Sequence, residues 1–177
     1  RGLGDVYKRQ LPTLFAEQFS LPLEHIGLSH VLAGHERVAE ELYPGIELLD
    51  MGDFAGAVLK YLRKHPLPRL AIVGGVAKLS KLAAGYLDLH SHRTRIQPGH
   101  LRQLVEGAGA SPELADAIGE VATVAHAVTL AGEAGIDLPQ LIADSARDEA
   151  LAVLGGAPVE VEIVVIDRAG KILARAH

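Results

Sequence analysis

Leu70-Ala71-Ile72-Val73-Gly74-Gly75-Val76-Ala77-Lys78-Leu79-Ser80-Lys81 is the stretch on which the fold turns. Four consecutive apolar residues between Pro68 and a glycine pair have the length and character of a buried strand. From Ala77 to Tyr86 the pattern is helical, so the glycines mark a strand-to-helix turn. The same grammar stands just upstream. Ile46 to Met51 is a short apolar run, and Asp53 is placed to cap a following helix. Phe54 to Lys64 carries Val58, Leu59 and Leu62 at helical spacing until Pro66 and Pro68 stop it. Strand, helix, strand, turn and helix over 46–86 predict right-handed crossovers and an α/β fold. Its parallel sheet would hold a Rossmann-like strand–helix–strand unit.

Outward from this unit the signals change. Residues 12–43 read as mainly helical, with Val38 and Leu42 on one face, and Pro44-Gly45 breaks the run. After Tyr86 comes a polar elbow, Asp88-Leu89-His90-Ser91-His92-Arg93. Residues 98–154 are Ala-rich and helical: Pro98, Pro112 and Pro139 sit where helices begin, and Asp137 is placed as an N-cap. Beyond Pro158, Val159, Val161, Ile163 and Val165 alternate with Glu160, Glu162 and Val164. Asp167-Arg168-Ala169-Gly170 then turns the chain back into Lys171-Ile172-Leu173-Ala174-Arg175, which is an antiparallel hairpin. Residues 1–10 lack Met and any period and read as a non-native leader, leaving 11–157 as the α/β domain. A lone hairpin is marginal in water, so 158–177 is expected to complete a sheet supplied by a missing N-terminal half.

Composition narrows the function. The chain has 177 residues, of which 49% are hydrophobic and 22% charged, so a packed core is within reach. Cysteine is absent, which removes disulfides, thiolate metal sites and a cysteine nucleophile and suits a reducing cytoplasm. Aromatics are only 4% and the net charge is −5, which argues against nucleic acid as a partner. No apolar run has the length of a membrane helix, so no membrane partner is expected either.

Four groups of residues could carry chemistry. Gly74 and Gly75 follow a parallel strand, where a ligand can come close to the protein backbone and the opening amides of the next helix attract an anion or polar group; Lys78 and Lys81 add charge. The plainer reading is a tight turn whose lysines face solvent. The spacing is neither that of a P-loop nor GxGxxG. Gly52, Asp53 and Gly56 occupy the equivalent position after the preceding strand, so both loops should open on one sheet edge. Asp53 would then accept from a ribose or amine, unless it serves only as an N-cap. His90-Ser91-His92 offers a general acid or base near neutral pH, or loop histidines without a role. No spacing selects His35 or His100 as a further metal ligand, and no nucleophile elbow surrounds Ser91. Arg37, in Gly34-His35-Glu36-Arg37, suits a carboxylate clamp or a surface ion pair. Asp144, Asp148 and Glu149 read as an exposed helix face.

The run Met51-Gly52-Asp53-Phe54-Ala55-Gly56, the motif Lys78-Leu79-Ser80-Lys81-Leu82-Ala83-Ala84-Gly85, the pair His90-Ser91 and the closing hairpin together resemble the cobalt-precorrin-5B C(1)-methyltransferase family, CbiD. The resemblance runs from about Gly34 to the end. Ala77 stands where the family usually has glycine, and the family's N-terminal Thr-Gly-x-Cys-Ala-rich segment does not occur. The resemblance implies methyl transfer from S-adenosylmethionine, as co-substrate, to C-1 of a cobalt-corrinoid in cobalamin biosynthesis. Cobalt then arrives only within the substrate, and no protein metal site is required. It further implies that the chain is the C-terminal portion of such an enzyme and works with the missing N-terminal half. On this reading Gly52, Asp53, Gly56, Gly74, Gly75, Lys78, Lys81 and Ser91 contact co-substrate or substrate, and His90 is the catalytic candidate. Lys78, Lys81, Arg93 and Arg95 would suit the ring's carboxylate arms. A Rossmann-like nucleotide-binding enzyme of another type, a non-catalytic structural domain and a homo-oligomer remain open.

Overall fold

The computed structural model describes residues 26–29, 41–42, 47–51, 53–90 and 96–177. In chain order they form β1 (Ile26–Ser29), β2 (Glu47–Asp50), α1 (Ala55–Leu62), β3 (Arg69–Gly75), α2 (Val76–Ala83), α3 (Pro98–Gly107), α4 (Pro112–Gly119), α5 (Val124–Glu133), α6 (Leu138–Leu154), β4 (Glu160–Ile166) and β5 (Ile172–Ala176). The fold is mixed α/β. The strands lie in the order β2-β1-β3-β4-β5. The first four are parallel neighbours, and β5 runs antiparallel to β4.

Two expectations are corrected. Ile26–Ser29 is a strand, not part of a helical run. β1 pairs with β2 on one side and β3 on the other, and sheet hydrogen bonds on both sides outweigh a weak local preference in a segment holding Gly27 and Ser29. The hairpin, in turn, joins a sheet built by this chain itself: β4 pairs with β3 from Arg69↔Glu160 to Gly75↔Ile166.

Both faces of the central strands are covered. Leu70, Ile72, Val161, Ile163 and Val165 join the main core, while Val73, Val164 and Ile166 meet Leu42 in a smaller cluster. This is why Leu70 to Val73 in β3 reads as a continuous apolar run. The long helix α6 lies against α2, β4 and β5. Its buried Ala143, Ala146 and Ala150 let the backbone approach closely. Helix starts follow local chemistry: Ser111, Thr123 and Asp137 accept from the amides of Leu114, His126 and Gln140 at 3.3, 3.2 and 3.1 Å. Gly155, at φ 61°, ends α6 in the left-handed conformation. Among the described residues no helix is long and apolar enough to cross a membrane.

Candidate functional site

The parallel pairing decides where the loops open. Ser29, at the end of β1, is level with Asp50 of β2 and with Val73 of β3. The turns after β2 and β3 therefore leave the same edge of the sheet, as expected, with β1 between them. Across that gap Lys78 Nζ donates to Asp53 Oδ1 at 2.7 Å, the two side chains being 24% and 21% exposed. Of the two readings of Asp53, ligand acceptor or N-cap of α1, the capping one is not what the structure has. The N-cap is instead Phe54, with no side-chain capping bond, and the Asp53 carboxylate turns to the lysine. The ammonium brings a full opposite charge in partial burial, where an N-cap amide would bring only a dipole. Lys78 is thus paired with Asp53 and largely withdrawn from solvent.

The polar elbow after α2 is laid against the first turn. Gly56 N–H donates to Leu87 O at 2.9 Å, and Leu89 N–H donates to Asp53 O at 2.8 Å. Gly56 is small for this reason, since a Cβ there would lie 2.4 Å from Leu87 Cβ. Lys81 is buried, 6% exposed, and its Nζ donates to Leu89 O at 3.0 Å. Burial pushes the Lys81 pKa below its ordinary value, Asp53 and Asp88 oppose the shift, and Lys78 adds to it. The His90 amide donates to Asp88 Oδ1 at 3.1 Å. Gly74 serves strand–helix packing, where a Cβ would come 3.3 Å from Leu79 Cγ. Gly75 is the extended N-cap of α2 and supplies no side-chain cap, so the opening amides of that helix face the same edge. The hairpin turn reaches this edge as well, because Ile166 is level with Gly75. There Asp167 Oδ1 accepts from Ala169 N–H and Lys171 N–H at 2.8 and 2.9 Å.

Gly52, Ser91, His92, Arg93, Arg95 and the Gly34–Arg37 group lie outside the described residues. Among the described residues no cluster of three or more His, Cys, Asp or Glu could hold a metal ion. His100 has a buried Nε2 with no partner among them. Burial lowers its pKa, with Glu149 opposing. Glu149 is thus half-buried beside Gly85 and His100 rather than part of an exposed face. What the sequence reading missed is the backbone of the elbow. The available signal is the apolar Leu89 inside the polar run after Tyr86, just ahead of His90.

The family model described as CbiD, C-terminal domain, matches residues 88–177. Curated proteins named cobalt-precorrin-5B C(1)-methyltransferase from Brucella ovis, Brucella canis and Brucella suis are each 51% identical to this chain over 155 residues. The alignments cover 84% of this chain and 42% of each relative, so the chain spans less than half their length. No solved structure matches the chain significantly.

Proposed function

The chain belongs to the CbiD family, and from that premise we propose that it is the C-terminal part of an enzyme that methylates C-1 of cobalt-precorrin-5B in cobalamin biosynthesis. The methyl donor is S-adenosylmethionine. Carbon C-1 supplies an electron pair to the methyl group, the methyl–sulfur bond breaks, and its electrons remain on sulfur. Such a transfer gains most of its rate from alignment, so the protein's task is to hold two reactants in a fixed geometry.

The observation that carries the reading is the junction of the two turns, Lys78 on Asp53 at 2.7 Å. The strand order β2-β1-β3-β4-β5 supports the reading, because its parallel part follows the 2-1-3-4 order of one kind of open α/β sheet. In such sheets ligands sit beyond the carboxyl ends of the strands where the order reverses, here between β1 and β3. Asp53 and the opening amides of α2 flank that point. With Lys78 compensated and Lys81 buried, this surface offers hydrogen bonds more than net positive charge. It suits the nucleoside and amino-acid groups of S-adenosylmethionine better than the carboxylate arms of the ring, which leaves the corrinoid to Arg93, Arg95 and the remainder of the enzyme. Gly52, Asp53, Gly75 and Lys78 are the contacts assigned to the donor, His90 is the candidate acid or base, and Ser91 follows it in sequence.

Calorimetric titration tests this. The chain should bind S-adenosylhomocysteine and not NAD; binding of NAD alone would replace the methyltransferase reading with another nucleotide-dependent activity. Turnover of cobalt-precorrin-5B should require the further length that the relatives possess, supplied in trans. Turnover by the 177-residue chain alone would contradict that division of labour.

A further inference from the structure

Lys81 is a buried cation that the proposed chemistry does not use. Burying an ammonium costs several kcal/mol unless it is well paired, and an apolar side chain of similar length would pack at such a position without that cost. The position of Leu89 explains why a cation stands there. Leu89 is 1% exposed, so its peptide groups lie in the interior outside any helix or strand. A buried amide and carbonyl must each find a partner. The amide finds Asp53 O at 2.8 Å, and the carbonyl finds Lys81 Nζ at 3.0 Å. The next residue along the chain is His90, whose amide is held in turn by Asp88 Oδ1 at 3.1 Å.

We infer that Lys81 is a positioning residue: through the Leu89 carbonyl it fixes the elbow that carries His90 beside the two turns of the sheet edge. The purpose given to the elbow rests on the proposed function; the tie itself does not. Among the described residues, Asp53, Lys78 and Asp88 are the charged groups that act on the ammonium. Asp53 bonds Lys78 and Asp88 bonds the His90 amide, while the Leu89 backbone carbonyl lies at hydrogen-bond distance from Lys81.

Nuclear magnetic resonance on the whole chain tests the inference without depending on methyl transfer. In the wild-type protein a scalar coupling across the hydrogen bond should link Lys81 Nζ to the Leu89 carbonyl carbon; its absence in a folded sample overturns the inference. In Lys81→Met the amides of Leu89 and His90 should exchange with solvent about tenfold faster and the His90 ring resonances should shift, while Ile72 and Val164 keep their protection. Unchanged exchange at Leu89, or acceleration spread equally over β3 and β4, would make Lys81 an ordinary stability residue and overturn the positioning role. Should Lys81→Met fail to fold, the wild-type coupling decides. A wild-type chain that shows the coupling but does not bind S-adenosylhomocysteine counts against the proposed function and not against the tie.

Discussion

The helical region 98–154 and the sheet edge at 53–56 and 74–90 are held by different means. In the helices the work is done by small apolar side chains in quantity. Ala115, Ala127, Ala131, Ala143, Ala146 and Ala150 are fully buried, and each of three helix starts is closed by a side chain a few residues from its partner. At the edge the bonds are few and polar: Asp53 to Lys78 and Gly56 to Leu87 join distant parts of the chain, and Lys81 to Leu89 ties a helix to the elbow that follows it. Many interchangeable contacts make a scaffold that tolerates loss at any one point. A few directional ones fix a geometry and fail singly. The edge is therefore where a change should alter binding, and the helices are where it should alter stability.

The comparison can be broken most forcefully from the helical side. Ile142 is fully buried in the main core. Ile142→Ala should cost about 3 kcal/mol in chemical denaturation, the usual range for emptying such a site. Affinity of the folded protein for S-adenosylhomocysteine should stay within about twofold. A loss of affinity beyond that, in protein shown to be folded, would mean that the two regions are not separable.

Gly56→Ala tests the edge by steric means. Its Cβ would meet Leu87 Cβ at 2.4 Å, and Leu87 is attached to the elbow backbone and cannot simply swing away. The expected cost is about 2 kcal/mol, with the amide resonances of 87–90 displaced and those of α4 and α5 unmoved. Lys78→Met removes one partner of the half-buried pair. It should cost about 1–2 kcal/mol, between the values for exposed and buried pairs, and weaken S-adenosylhomocysteine binding about tenfold. Full affinity in that variant would show that the junction only holds the two turns together.

The smallest expected effect belongs to His100, whose ring nitrogen is buried without a partner among the described residues. Its folded pKa lies below 6.5, so between that lower value and 6.5 the unfolded chain binds the proton that the folded chain refuses. Stability from this group is present above pH 6.5 and falls as the pH drops through that window. His100→Phe should flatten the fall, measured as the difference in melting temperature between pH 7 and pH 5. An unchanged difference would mean that His100 is solvated in both states.

How much of this was legible in the sequence follows the same divide. Helix starts at Pro98, Pro112 and Asp137, the turn at Asp167–Gly170 and the strand at Leu70–Val73 were readable because their causes lie within a few residues. β1 was not, because its existence depends on strands some 20 and 40 residues further along the chain. That the loops of Asp53 and Lys78 share an edge followed from parallel strands alone. That their charges cancel did not, since a side-chain partner 25 residues away leaves no periodic trace. Lys81 shows the limit most plainly. Its spacing on the helix is equally compatible with solvent, ligand or interior, and only the burial of Leu89 decides among them.

The central claim is that the two turns act as one binding surface, and the most direct test follows the backbone amides while S-adenosylhomocysteine is added. Amides in 53–56 and 74–78 should shift together with a single dissociation constant, with those of α3, α4 and α5 left in place. Shifts confined to the helical region, or two turns that respond with different constants, would contradict it.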